Sequence, residues 1–266
     1  SDNGRMAIAF VNDGSLYALV KARHADGFSA PALVAQGGVS NPSIDMSING
    51  ATYLSWTQNG DVRVARAERD SATFRTLEAP LDIDPAREAG TGPALRSRVA
   101  VSADGTALVV WGEHGADGRT HVYARRLFEL RTSIAPQDLT LDQVDGHPAL
   151  GASLPELDME DDSSYAQVVF RQDTTQGPRV VLRRLVGSAF DPPIIIDNGQ
   201  YGKRGHLDLT GKGEGLFGVA AGDGSVLGGA IWNDRLRTND LLAGASGVDP
   251  QPVAAVGENE DGGIAW

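Results

Sequence analysis

Three aspartates recur in one frame along this chain, each between two apolar residues: Asp45 between Ile44 and Met46, Asp158 between Leu157 and Met159, Asp208 between Leu207 and Leu209. Three arginines recur in a second frame, each preceded by Ala or Leu: Arg66, Arg125 and Arg183. Carboxylates repeated at one structural position could form a ring that binds a cation or a basic ligand. The alternative is structural. A guanidinium fork matches a carboxylate bidentately, so Asp–Arg pairs could fix the register of neighbouring units. Ion pairs that perturb titration are often structural, and the pairing role is the better account of these six residues.

Other residues with chemical potential are less organised. Acidic clusters (Asp82, Asp84 and Glu88; Asp158, Glu160, Asp161 and Asp162; Glu258, Glu260 and Asp261) could offer oxygens to calcium. None has the ligand spacing of a calcium-binding loop, and solvated loop acids are expected in so acidic a chain. His114 and His121 bracket a loop that also carries Glu113 and Asp117, while His24, His147 and His206 are scattered. A zinc site or a nucleophile–base pair needs more converging partners than these provide. Ser102-Ala103-Asp104-Gly105-Thr106 is similar to the Asp-box of sialidases, itself a structural turn, but the next aromatic, Trp111, comes six residues after Gly105. No catalytic, cofactor or metal residue is assigned, and calcium is the one ion the acids could serve.

The elements that must position these residues form a repeat. Short apolar strands end in an aromatic at Phe10, Trp56, Trp111, Phe170 and Trp266, with a weaker copy, GLFGVAA, reaching Ala220. Successive copies lie 46, 55, 59, 50 and 46 residues apart, a period suited to four-stranded propeller blades. Before each marker strand stands an alternating strand such as PSIDMSI, SRVAVSA or GHLDLTG. Asn49-Gly50, Asp104-Gly105 and Asp261-Gly262 supply the tight turns between the two. A third strand follows (DVRVARAE, HVYARRLF, RVVLRRLV), then a poor, Pro-containing fourth that suits an edge. The marker aromatics, on apolar mid-blade strands, read as packing between blades rather than as a sugar-stacking ring. Helical periodicity is nearly absent, with at most one turn at Asp84–Glu88.

The stretch SRVAVSADGTALVVWGEHGADGRTHVYARRL, Ser97–Leu127, resembles the repeats of exported bacterial β-propeller proteins: a strand, a DG turn, a strand ending in Trp and a VYARR strand. The resemblance implies an all-β propeller and export to the cell surface or beyond. The expected architecture is one domain over 1–266, with a piece cut from a longer exported protein as the alternative. Five blades leave less unexplained than six. In the five-bladed account Gln251–Gly257 joins the N-terminal strands to complete the first blade, leaving 263–266 over.

Composition narrows the function. The 266 residues carry a net charge of −12, which disfavours sequence-independent binding to nucleic acid or anionic lipid. No apolar run is long enough for a transmembrane helix. Without cysteine there are no disulfides, thiolate metal sites or cysteine nucleophiles. Twenty arginines against three lysines, in an Ala-rich chain, fit GC-rich coding. The function these features favour is a non-enzymatic extracellular binding or scaffold module that uses the loops of one face, with a glycan or another cell-surface protein as partner. The alternative is a glycosidase with a carboxylate pair at the central funnel.

Overall fold

The computed structural model describes every residue except 2, 3, 70, 133, 233, 234, 258 and 260. Period-two apolar patterns broken by Gly turns favour short antiparallel strands, and these fill six sheets in chain order. Sheet 1 holds β1 (Met6–Asn12), β2 (Ser15–Lys21) and β3 (Ala32–Ala35). Sheet 2 holds β4 (Val39–Met46), β5 (Thr52–Gln58), β6 (Asp61–Ala67) and β7 (Arg75–Thr76). A helical turn, α1 (Gly92–Leu95), leads into sheet 3: β8 (Arg98–Val101), β9 (Thr106–His114), β10 (Thr120–Phe128) and β11 (Gln137–Asp138). Sheet 4 is built on β13 (His147–Met159), preceded at its edge by β12 (Gln143–Val144), then β14 (Ala166–Thr174) and β15 (Gly177–Val186). Both β16 (Ala189–Phe190) and β17 (Ile194–Ile195) pair with β15. Sheet 5 runs β18 (Arg204–Leu209), β19 (Glu214–Ala220), β20 (Val226–Trp232), with β21 (Arg235–Leu236) and β22 (Asp240–Ala243) both on β20. Sheet 6 is the hairpin of β23 (Val253–Val256) and β24 (Gly262–Ala265).

Turn chemistry explains the short hairpins. Asp13-Gly14 and Asn59-Gly60 have φ values of 48° and 69°, and 54° and 93°, the paired positive φ of the type I′ turn that matches strand twist. Both connect second to third strands of a repeat, and in sheet 1 these are β1 and β2. The helical turn lies at Gly92–Leu95 instead of Asp84–Glu88, because Pro93 pre-sets its first residues. Among the described residues no helix is long and apolar enough to cross a membrane.

Two-faced apolar sheets cannot be stable singly, and each junction between neighbours carries its own core. Trp56 packs with Leu16 and Ala18 between sheets 1 and 2. Trp111 packs with Tyr53, Val62 and Val64 between sheets 2 and 3, and Phe170 with Val110 and Val122 between sheets 3 and 4. At the next junction Val219 holds the equivalent place, beside Val180 and Leu182. The marker residue therefore faces the preceding sheet. Sheet 1 has no sheet before it, and Phe10 is 36% exposed, stacked only on Tyr17 of its own hairpin at 5.6 Å.

The ends differ from the expected closure. Instead of reaching β1, β23 pairs with β24, and β1 has only β2 as its partner. The strand pairing thus gives six sheets, the first lacking an initial strand and the last ending after two. A five-residue connection makes the β23–β24 hairpin far cheaper in loop entropy than pairing across the whole chain, and side chains of β18 hold β23 in place. The first strands of sheets 2 to 6 lie side by side, in the order β4, β8, β13, β18 and β23.

Loop acids mostly serve the fold. Glu113 is buried and accepts from the Trp111 indole at 3.0 Å and from the backbone N–H groups of Ile83 and Asp84 at 3.0 and 2.9 Å. Asp82 accepts the Val62 N–H at 2.7 Å, while its second oxygen is buried without a partner. Glu160 accepts the Ser163 hydroxyl at 2.6 Å. Glu258 and Glu260 lie outside the described residues, among which no three His, Asp or Glu side chains converge as metal ligands. Ser102 and the Thr106 N–H both donate to Asp104, at 2.5 and 2.8 Å, which makes the Asp-box-like segment a braced hairpin turn.

Two stability measurements follow from this packing. Trp111→Ala should cost about 3–5 kcal/mol in chemical denaturation, whereas Phe10→Ala, which removes an uncovered ring, should cost less than about 1 kcal/mol. Burial first, then Asp61 and Glu113, push the Asp82 carboxyl up to about 7. The folded chain keeps a proton there that the unfolded chain has already lost, so this contribution to stability is complete below the ordinary carboxylate range and vanishes as pH rises through about 7. Asp82→Asn should flatten the pH dependence of urea denaturation across that window and add about 1–3 kcal/mol at pH 8, the cost of an unsatisfied buried polar group.

Candidate functional site

The strand register places the six charged residues singled out by sequence, and it separates them. Each of the three aspartates reaches forward to the next sheet. Asp45 Oδ2 accepts the backbone N–H of Val101 on β8, Asp158 Oδ2 that of Leu209 on β18, and Asp208 Oδ2 that of Val256 on β23, all at 2.7 Å. They act as latches between successive first strands. Burial raises the pKa of Asp45, and raises that of Asp158 well above the usual carboxylate range, with Asp208 and Asp45 adding to the latter.

The arginines bind elsewhere. In the pairing register Asp45, Tyr53 and Arg66 share one row, and the equivalent rows end in Arg126 and Arg184. Arg125 and Arg183 sit one residue earlier, and because side chains alternate along a strand they lie on the opposite face. Arg66 pairs with Glu68 and covers the Tyr53 ring. Arg125 points to the Thr132 carbonyl at 3.5 Å, and Arg183 donates to the carbonyls of Asp191 and Phe190 at 3.2 and 3.4 Å. Burial lowers the pKa of both Arg125 and Arg183. Among the described residues no Asp–Arg pair joins these six, so the pairing expected from sequence is replaced by aspartate-to-backbone latches.

Two residues before each latching aspartate, and at the equivalent places on β8 and β23, lies a second repeat position, occupied in turn by Ser43, Arg98, Glu156, His206 and Val253. Ser43 and His206 repeat the latch: the Ser43 hydroxyl accepts the Val99 N–H at 3.2 Å, and His206 Nδ1 accepts the Ala254 N–H at 3.2 Å. Arg98 and Glu156 instead bond to each other through a fork, Nε to Oε2 at 2.6 Å and Nη2 to Oε1 at 3.1 Å. Arg96, delivered by the end of α1, also donates to Glu156.

Arg96, Arg98, Glu156 and His206 line a cavity of about 220 Å³ between β8, β13, β18 and β23, together with Leu154, Arg204 and Gln251. A bulge in β13 between Ser153 and Glu156 aims the carboxylate. Leu154 within it has φ 54°, a conformation that costs free energy for a branched aliphatic residue and that clusters at functional sites. β4 has a matching bulge between Ser40 and Ser43, where Asn41 takes φ 50°, a value Asn tolerates better than Leu. Glu156 is 9% exposed, and Arg204 bonds to Asp249 at 3.0 Å. The Nε atoms of Arg96 and Arg204 are buried without partners. Burial lowers the pKa of His206, and since Nδ1 accepts, the neutral ring carries its proton on Nε2. The lining is rich in N–H donors, and its one carboxylate is already saturated by arginine.

The other histidine of interest, His121, is held between two carboxylates, Nδ1 to Asp138 at 2.7 Å and Nε2 to Asp117 at 3.1 Å, and stacks on Tyr123. Both its nitrogens are occupied, and it braces the β9–β10 loop. The cavity residues did not stand out in sequence. The signal that could have found them lies in the aspartate frame itself, since Glu156 and His206 stand two residues before Asp158 and Asp208, as Arg98 does before Ala100; Arg96 and Arg204 have no repeat signature.

No protein-family model matches the chain, and no curated protein matches it by sequence. Solved structures do match. One is a protein of unknown function from Dyadobacter fermentans, with TM-score 0.54 and 13% identity, covering 95% of this chain and 84% of the other. Another is an ulvan lyase bound to -[GlcA(1-4)Rha3S]-, with TM-score 0.54 and 10% identity over 96% of this chain and 70% of the other. A mutant of the Aleuria aurantia lectin in complex with Fucα1-6GlcNAc is similar at TM-score 0.52 and 6% identity, over 98% and 83%. At such identities the likeness is one of fold. The chain shares with these proteins an all-β, propeller-like succession of antiparallel sheets.

Proposed function

We propose that this chain is a non-enzymatic, extracellular glycan-binding module, its sheets acting as propeller blades and its binding site being the cavity lined by Glu156 and His206. One observation carries the reading: a donor-rich cavity sits on adjacent first strands, with aspartate latches from β13 to β18 and from β18 to β23, where side chains are pre-positioned for a polar ligand. Structural neighbours that bind or act on saccharides support it. Export follows the resemblance of Ser97–Leu127 to exported propeller repeats.

The carboxylates argue against the glycosidase alternative. Hydrolysis needs two carboxyl groups flanking the bond, one of which holds a proton. Asp45, Asp158 and Asp208 each hold a backbone N–H of the next sheet and none of them lines the cavity, and Glu156, the carboxylate of the cavity lining, accepts from two guanidiniums. A glycan array should therefore give binding that Arg204→Gln weakens, while chromogenic glycosides and polysaccharides incubated with the protein release no product. Reproducible hydrolysis lost on substitution of one cavity residue would overturn the non-enzymatic reading.

A further inference from the structure

Within the glycan-binding reading, and resting on it, the geometry points to a saccharide unit bearing a carboxylate, a uronic acid, as the preferred occupant of the cavity between β8, β13, β18 and β23. The charge balance is the first reason. The lining contributes three guanidiniums, Arg96, Arg98 and Arg204, against one carboxylate, Glu156, in a protein whose net charge is −12. Asp249 offsets part of this from the rim, and a positive excess remains in a place where the chain as a whole would repel anions. Low-dielectric walls concentrate such a field on whatever enters.

Donor bookkeeping is the second reason. Arg98 spends its fork on Glu156, so it neutralises that carboxylate rather than facing a ligand. Arg96 gives one terminal nitrogen to Glu156, and Arg204 gives one to Asp249. Each retains its other terminal nitrogen, Nη1, without a hydrogen-bond partner among the described residues, and His206 likewise retains its Nε2–H. Unmet donors call for an acceptor, and a carboxylate brings two oxygens with about four lone-pair directions in the plane a guanidinium favours. A sugar hydroxyl must share its lone pairs with a proton that finds few free acceptors here, since Glu156 is already taken. The volume, about 220 Å³, is below the range for drug-sized ligands and suits one sugar ring.

The test is calorimetric titration of the intact chain with the methyl glycosides of glucuronate and galacturonate, beside those of glucose and galactose. The uronates should bind at least about tenfold tighter than the neutral sugars, the difference expected from one charge-assisted hydrogen-bonded pair, and the preference should shrink as salt rises. Arg204→Gln should remove most of the preference, and Arg204→Lys, which keeps the charge and loses the fork, should retain only part of it. Arg66→Gln, on a different sheet, should leave it intact and controls for general effects of losing a guanidinium; matched melting temperatures confirm that the variants fold. Equal affinity for uronates and neutral sugars would overturn this inference and leave the glycan-binding reading standing. Failure of both uronates and neutral sugars, with array glycans still bound, would move the site away from this cavity. Failure of every glycan would overturn the two together.

Discussion

A carboxylate accepting a backbone N–H across a sheet boundary is the interaction on which the rest of this molecule depends. The first strand of each four-strand unit has one edge paired with its own second strand and one edge turned inward, where unpaired backbone groups would be buried at a cost of about 1–3 kcal/mol each. Asp45, Asp158 and Asp208 cover that edge on the following sheet. The apolar clusters between sheets supply most of the stabilisation but are non-directional, so they tolerate sliding. The latches fix how far each sheet is displaced along its neighbour, and with that the alignment of every first-strand side chain. Ala100 stands at the same position and makes no latch; the boundary from sheet 3 to sheet 4 is held by packing, by the Arg98–Glu156 fork and by the Ala103 N–H donated to the Asp161 carbonyl at 2.8 Å.

The candidate site is a departure from this scheme. At the second repeat position Ser43 and His206 still hold neighbouring N–H groups, which is the structural use of the position. Arg98 cannot accept, and Glu156, turned by the bulge at Leu154, bonds to arginine instead. Where the repeat stops serving the backbone, a cavity opens and its lining becomes charged. Strain at Leu154, buried unmatched Nε atoms and a histidine kept neutral by its surroundings all fall within it. Unmatched guanidinium Nε atoms and positive-φ residues also occur elsewhere, and what distinguishes this cavity is that they meet on adjacent strands around a carboxylate held by arginine.

Sheet 1 shows the same physics from the other side. With no sheet before it, its marker aromatic loses its cover: Trp56, Trp111 and Phe170 are fully enclosed, while Phe10 is open. Met6 and Ile8 share the uncovered face of β1. An aromatic stands at this position in enclosed and open copies alike, so burial is a property of position in the stack and not of the strand itself.

The sequence by itself determined the strands, their turns and their core. Period-two patterning, Asn-Gly and Asp-Gly pairs and a recurring aromatic are local signals, and each acts through backbone geometry or burial within a few residues. It also singled out Asp45, Asp158 and Asp208 as equivalent. Their partners required the tertiary structure, because a latch joins residues some fifty positions apart through a backbone N–H that has no sequence signature. The arginine frame slipped by one residue for a related reason: Val64-Ala65-Arg66 and Tyr123-Ala124-Arg125 look alike in sequence, but the register set from the aromatic places Arg126, not Arg125, opposite Leu108. A shift of one residue in a strand exchanges its two faces. The gathering of Arg96, Arg98, Glu156, Arg204 and His206 around one cavity, and the pairing of β23 with β24 in place of β1, were decided only in three dimensions, where a bulge, a helical turn and the balance of loop entropy against long-range pairing come into play.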